Sequence, residues 1–270
     1  MYLADYHTHS NCSPDGKLPM KEMVRAAAEK GLQEICITDH VDTYYWSDIS
    51  KLKDDFDWDK VKAQYDEACE LYGDRITVKL GCELGDMQLS TANADHLLSM
   101  APPLDFIIGS VHLSGSKEDN KDLYYIESGD AAFYSKVIDD YLDEVETVAR
   151  WGKSSILGHI TLPLRYINEN YHAGLTYDGH MDRLAEIFKI IIPKGIGIEC
   201  NTNRGGEPLP YREILQLYHD MGGEVITLGS DAHSAEFVGC VIRERQELLK
   251  ECGFKYFTTF TKLKPEWKKL

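Results

Sequence analysis

No apolar run in this 270-residue chain reaches the ~18 residues that a bilayer-spanning segment needs, so no membrane role is expected. Basic residues are scarce: 29 Lys and Arg stand against 45 Asp and Glu, a formal charge of -16. Nucleic-acid binders carry basic patches, so this balance argues against a DNA or RNA partner. The seven cysteines are odd in number and form no CxxC pair, which argues against four-cysteine zinc sites and a disulfide scaffold. Cys36, Cys82 and Cys200 sit inside strand-like runs, where a thiol behaves as a small hydrophobe, and a reducing cytoplasm is the compartment expected. The first such run begins within a few residues of Met1, so no signal peptide is expected. No Gly/Ser- or Pro-rich linker interrupts the chain and no repeat is visible; one domain over residues 1–270 is expected. A Gly-rich phosphate cradle and a Ser nucleophile elbow are both missing, so a phosphorylated enzyme is not suggested.

What the chain does have is a recurrence of histidines and acids at the ends of short apolar runs. The runs end in Asp5-Tyr6-His7-Thr8-His9, Thr38-Asp39-His40, Gly81-Cys82-Glu83, Ser110-Val111-His112, Gly158-His159 and Ser230-Asp231-Ala232-His233. Strands are expected near 2–9, 34–40, 76–83, 106–112, 155–160, 195–201 and 225–231, with an eighth possible at 255–261 as an edge strand or a tail. Helical periodicity fills 20–30, 57–72, 130–151, 178–192, 208–221 and 235–252. A parallel (β/α) barrel gathers many strand ends at its C-terminal face, where barrel active sites lie. Period-2 alternation puts Cys36, Thr38 and His40 on one face of their strand, and likewise Gly81 with Glu83, Ser110 with His112, and Glu199 with Asn201. That small or polar face suits the barrel interior. The stretches 41–56 and 113–129 are long for βα connections, and loops over a barrel mouth commonly set specificity.

His, Asp and Glu converging at one mouth are ligand types of Zn²⁺, Mn²⁺ or Fe²⁺. His7 and His9 alternate on one strand face, so both imidazoles can reach one ion, and Asp5 is expected to orient one of them from behind. Asp231 and His233 repeat that spacing. Glu83 is the carboxylate most able to bridge two ions. Asp15 is either a ligand just beyond His9 or simply the turn residue of Pro14-Asp15-Gly16. His96, His172, His180 and His219 fall in helical or loop segments and are expected to be solvated.

These residues in this order resemble the polymerase and histidinol phosphatase (PHP) superfamily, in a match spanning positions 5 to 233. Within it the chain is similar to the stand-alone histidinol-phosphate phosphatases, on Asn11-Cys12-Ser13-Pro14-Asp15-Gly16, Gly109-Ser110-Val111-His112, Leu162-Pro163-Leu164-Arg165 and Glu199-Cys200-Asn201-Thr202-Asn203-Arg204. The resemblance implies a distorted (β/α)7 TIM-like barrel holding three divalent ions, and cleavage of L-histidinol phosphate to L-histidinol and phosphate in histidine biosynthesis. By the same carry-over His7, His9, Glu83 and Asp231 hold one ion, Glu83, His112 and His159 the second, and Asp15, His40 and His233 the third. The stretch Leu113 to Ser128 departs from the pattern as an insertion.

An acidic chain acting on an anion needs bound cations to neutralise the phosphate, and such ions also lower the pKa of a water between them. Asp42 and His233 are candidates to protonate the leaving alkoxide, with Glu83 joining the catalytic set as the bridging carboxylate. Arg165 and Arg204 either clamp phosphate oxygens or pair with surface acids. The loop Asp42-Thr43-Tyr44-Tyr45-Trp46-Ser47-Asp48 suits a cationic amine and an imidazole ring, or simply packs on the rim. Two rivals remain: the same barrel acting on another small phosphate ester (a nucleotide or phosphotyrosine), and a metal-binding regulatory domain without catalysis. The second is disfavoured because every metal position is filled.

Overall fold

The computed structural model describes residues 1–270. Strands β1 (Ala4–Asp5), β2 (Glu34–Ile37), β3 (His40–Asp42), β4 (Tyr44–Tyr45), β5 (Asp48–Leu52), β6 (Thr77–Gly85), β7 (Phe106–Ser110), β8 (Ile156–Leu157), β9 (Gly197–Asn201), β10 (Ile226–Gly229), β11 (Tyr256–Thr261) and β12 (Lys264–Lys269) follow in chain order. The helices are α1 (Met20–Glu29), α2 (Trp58–Tyr72), α3 (Thr91–Ser99), α4 (Ala131–Trp151), α5 (Leu162–Tyr171), α6 (Met181–Ile191), α7 (Arg212–Asp220) and α8 (Ile242–Glu251). Parallel strands run β1-β2-β6-β7-β8-β9-β10. The ends then meet: Tyr6 N–H donates to the Leu228 carbonyl at 2.9 Å and Asp231 N–H to that of His7 at 2.8 Å. The result is a seven-stranded α/β barrel of the TIM-like kind.

Runs such as Ile35-Cys36-Ile37 and Phe106-Ile107-Ile108 are buried on both faces, as strands between a helix ring and a filled interior must be. Register fixes what comes together: His40 pairs with Glu83, Glu83 with Ile108, and Gly229 with Asn201. A Cβ on Gly81 would touch Cys36 Sγ and Thr38 Cγ2, so these three share one face, as the alternation predicts.

Three expectations need correction. The strand expected over 34–40 is interrupted at Thr38-Asp39: Thr38 N–H turns to the Thr8 carbonyl, and the Asp39 carboxylate takes Ser10 N–H, Ser10 Oγ and Ser13 Oγ. Helices α3 and α5 were not expected from periodicity. The first buries only Ala94 and Leu97, too few to set a period, and starts at a Ser90 cap. The second starts at Leu162-Pro163, where a first-turn proline is tolerated. Thirdly, His180 is not solvated but buried, its Nδ1 3.0 Å from Asp139.

The ambiguous segment 255–261 is one arm of the antiparallel hairpin β11–β12, which plugs the N-terminal end of the barrel. Phe260 packs on Phe106 with ring centroids 4.9 Å apart, and its N–H donates to Tyr6 Oη at 2.8 Å. Tyr6 in turn donates to the buried Glu34 carboxylate. The barrel floor is therefore apolar and sealed. Phe260→Ala should lower stability by about 3–5 kcal/mol, the usual cost of emptying a buried Phe site, without changing bound metal. Thermal unfolding of the variant with elemental analysis of the same sample checks this; an unchanged midpoint would mean the hairpin does not seal the core.

Candidate active site

Strand ends and the loops beyond them deliver every residue of the site. β1 continues into His7 and His9, and the 10–15 loop after it carries Asp15. β3 begins at His40, and β6 carries Glu83 near its end. His112 follows β7, His159 follows β8, and Asp231 and His233 follow β10. All nine ligand candidates meet at the C-terminal mouth.

Glu83 is their centre and is fully buried. Its Oε2 lies 3.2 Å from His7 Nε2, 3.5 Å from His9 Nε2 and 3.0 Å from His40 Nδ1. Its Oε1 lies 3.2 Å from His112 Nε2 and 2.9 Å from His159 Nε2, and accepts from Ser110 Oγ at 2.6 Å. Asp231 Oδ1 stands 3.6 Å from His7 Nε2 and 3.3 Å from His9 Nε2. Farther out, His233 Nε2 lies 2.9 Å from Asp15 Oδ2 and 3.5 Å from His40 Nε2. The three groups expected from sequence are thus each brought together. The compact donor sets cut across those groups: His7 with Glu83 and His159, His7 with His9 and Asp231, His9 with His40 and His233, and His40 with Asp42 and His112.

Electrostatics explain why such a cluster is buildable. Burial alone would push the Glu83 carboxyl up, but His7, His40 and His112 hold it well below the carboxylate range. Burial would depress His7, yet Glu199, Glu83 and Asp231 lift it well above 6.5. His40, buried but beside Glu83, is raised to about 9. Asp231 is also buried, and Arg165 and His7 hold it low. Asp15 is desolvated too, but His233 and His40 lower it to about 2. His9 goes the other way: burial and the neighbouring His233 and His40 push it well below 6.5, leaving a neutral imidazole.

Residues behind the cluster orient it. Glu199 Oε1 is 2.7 Å from His7 Nδ1, and its Oε2 accepts the His159 N–H at 2.9 Å. Ser13 Oγ lies 3.2 Å from His9 Nδ1 and accepts the His40 N–H at 2.9 Å. Sequence reading noted Glu199 as interior-facing but gave it no role, and missed Ser13 and Asp39. The signal for Glu199 was an acid on the same strand face as Asn201. Asp5, expected to orient a ligating histidine, accepts the backbone N–H of His7 at 3.3 Å, and also Ser230 N–H, Ser230 Oγ and Gly239 N–H, tying β1 to the loop that carries Asp231.

The open space beside the cluster is a cavity of about 420 Å³ lined by Asp15, His40, His112, His159, Asp231, His233, Arg165 and a rim including Tyr44, Trp46, Asp122, Tyr124 and Tyr166. Arg165 projects from α5, buried, with Nη1 2.7 Å from Asp231 Oδ2 and Nε 2.7 Å from Asn203 Oδ1. Arg204 does not reach the mouth: it is exposed and faces Glu169 at 3.8 Å. Asp42 does not line the cavity either. It is buried, accepting Trp46 Nε1–H at 2.6 Å on Oδ2, with Oδ1 3.8 Å from His112 Nδ1.

A barrel whose C-terminal face carries six histidines and three carboxylates around one mouth is the frame of a metal-dependent barrel enzyme. Residues 5–203 match the PHP domain, and the chain belongs to that family. It is 27% identical over 285 residues to the histidinol-phosphatase of Lactococcus lactis, covering 98% of this chain and 96% of that protein. A Thermotoga maritima protein named "Probable histidinol-phosphatase" is 25% identical, covering 94% of each. The crystal structure of the Lactococcus lactis histidinol phosphate phosphatase, complexed with zinc, L-histidinol and phosphate, superposes with a TM-score of 0.80 at 24% identity, covering 98% of each chain. That likeness shows the seven-stranded fold. No helix of this chain is long and apolar enough to cross a membrane.

Glu83→Gln keeps the volume of the central side chain but removes the charge that five imidazoles face. Bound zinc should fall and phosphatase turnover should drop at least ~100-fold, the lower range for a lost electrostatic contact. Full zinc content by elemental analysis together with normal turnover would make Glu83 a packing residue only.

Proposed function

We propose that this chain is a divalent-cation-dependent phosphomonoesterase that hydrolyses L-histidinol phosphate to L-histidinol and phosphate. Its relatives across nearly the full length are named for that activity, and the family is PHP. The observation that carries the cation reading is a set of orphaned atoms: His7 Nε2, His9 Nε2, His40 Nδ1 and Glu83 Oε2 are buried, face one another and have no hydrogen-bond partner. Buried polar atoms are nearly always satisfied, and imidazole nitrogens around a shared carboxylate suit Zn²⁺, Mn²⁺ or Fe²⁺. By the family resemblance three ions would be held, one by His7, His9, Glu83 and Asp231, one by Glu83, His112 and His159, and one by Asp15, His40 and His233. When bound, the ions supply Lewis acidity, offsetting the phosphate charge and making a water nucleophilic near neutral pH.

The chain's own residues do the rest. Arg165 keeps guanidinium N–H groups beyond those given to Asp231, Asn201 and Asn203, and it lines the cavity, so it is the cationic clamp for a phosphate oxygen. Arg204 has no such part in this arrangement. The two acids expected from sequence, Asp42 and His233, both stand within the cluster. Asp42 lies buried beside His112 with Oδ1 unpartnered, while His233 lines the cavity with Nδ1 3.0 Å from the Asp231 carbonyl and Nε2 2.9 Å from Asp15 Oδ2. The rim of Tyr44, Trp46, Tyr124 and Tyr166 with Asp122 offers aromatic faces and a carboxylate to a small cationic imidazole substrate. A cavity of about 420 Å³ fits such an ester better than a polymer.

Chelation should abolish activity, and zinc or manganese should restore it. At matched metal, kcat/KM for L-histidinol phosphate should exceed that for p-nitrophenyl phosphate or a nucleotide by at least ~10²-fold, about what one or two buried polar contacts confer. Equal turnover of the three esters would defeat the substrate assignment and leave a general phosphoesterase; activity indifferent to chelation would defeat the cation reading.

A further inference from the structure

We propose that Glu199 is the positioning residue of this centre: one buried carboxylate fixes both the ring of His7 and the backbone of His159, joining the two cation sites that share Glu83. The inference rests on the divalent-cation reading above.

Glu199 sits on β9, 1% exposed. Its only ion-pair partner is His7, so nothing but the site itself compensates its burial. Oε1 faces His7 Nδ1 at 2.7 Å, while Oε2 accepts the His159 N–H at 2.9 Å and Asn201 Nδ2–H at 3.1 Å. A carboxylate against Nδ1 selects the tautomer protonated there, which leaves Nε2 as a lone pair directed at Glu83 and Asp231. His7 and His159 follow different strands yet stand in one compact donor set with Glu83, and this one side chain links the two. The connection runs further. Asn201 Oδ1 accepts from Arg165 Nη2 at 3.2 Å, and Arg165 Nη1 donates to Asp231 Oδ2 at 2.7 Å.

Gly229 gives an independent sign of the same constraint. It pairs with Asn201 on the neighbouring strand, and a Cβ there would overlap both Glu199 Oε1 and His7 Cβ. The small residue at the end of β10 leaves the gap through which carboxylate and imidazole meet. Both faces of the contact are therefore written into the sequence.

A Gln at 199 can accept from His7 or from the His159 N–H, but its amide NH₂ must then face the other donor. Glu199→Gln should weaken zinc binding by about 10–100-fold, the range for loss of an outer-sphere partner of a ligating His. Activity should be low at limiting zinc and recover as zinc is raised, with KM for the substrate little changed. Gly229→Ala should reproduce the zinc defect without altering any polar group. Competition against a chromophoric zinc chelator, with elemental analysis and thermal unfolding of the metal-free proteins, reads both variants. Wild-type zinc affinity in both, with only stability or turnover reduced, overturns the proposal. A wild-type protein that takes up no zinc would instead overturn the cation reading on which it rests.

Discussion

One buried carboxylate organises this molecule. Glu83 lies on β6, the longest barrel strand, and no Lys or Arg approaches it; five imidazoles do. An ionised carboxylate in such a place is costly unless positive charge compensates it. The surrounding histidines can supply that charge as imidazolium, which is why His7, His40 and His112 are raised while Glu83 is depressed. A divalent ion supplies it better, because it also satisfies lone pairs that a proton on one ring leaves facing each other. The acidity of the whole chain has the same meaning. With -16 overall and acids at the mouth itself, an anionic ester needs local positive charge there, which Arg165 supplies in part and bound cations would complete.

Packing so many polar groups at one barrel end requires the backbone to yield space, and glycine yields it. A Cβ on Gly85 would overlap Asp42 Oδ1 and crowd His112 Nδ1; on Gly158 it would strike Ser110 Oγ, which donates to Glu83. Gly229 does the same beneath Glu199. These glycines sit at strand ends, where a side chain would point at the ligands rather than at the helix ring. The close approach of strands at the mouth is therefore part of the site's chemistry.

The fold was legible because its signal is local. Apolar runs ending in His or acid mark a strand and its C-terminal end at once, and eight of the nine ligand candidates were readable on that basis; Asp15, in a Pro-Asp-Gly turn, was not. What escaped was governed by tertiary contact. Arg204 follows β9 as a phosphate clamp would, yet a left-handed backbone at φ 52 accompanies an outward side chain. Asp42 lies near the mouth in sequence, yet Trp46 folds back over it through a hydrogen bond that no periodicity announces. Asp5 holds His7 through its backbone N–H rather than its ring, because β1 and β10 close the barrel beside it and the N–H groups of Ser230 and Gly239 share its oxygens. Sequence gives which residues reach the mouth more readily than it gives which way each one turns there.

The two ends of the barrel divide the work. The C-terminal end concentrates buried polar atoms without hydrogen-bond partners, an arrangement that lowers stability. At the opposite end the β11–β12 hairpin buries Phe257 and Phe260 against the floor and satisfies Tyr6, while Lys79 reaches Thr261 at 2.7 Å. The apolar plug adds stability at the end where no chemistry takes place, as expected when barrel function lives on one face and stability on the other. Glu34 makes the contrast plain. Like Glu83 it is a buried carboxylate at a strand, but tyrosine hydroxyls from Tyr2 and Tyr6 satisfy it, and it needs no cation. The same residue type is structural where hydroxyls satisfy both oxygens, and a ligand candidate where five imidazoles crowd it and only Ser110 donates a hydroxyl.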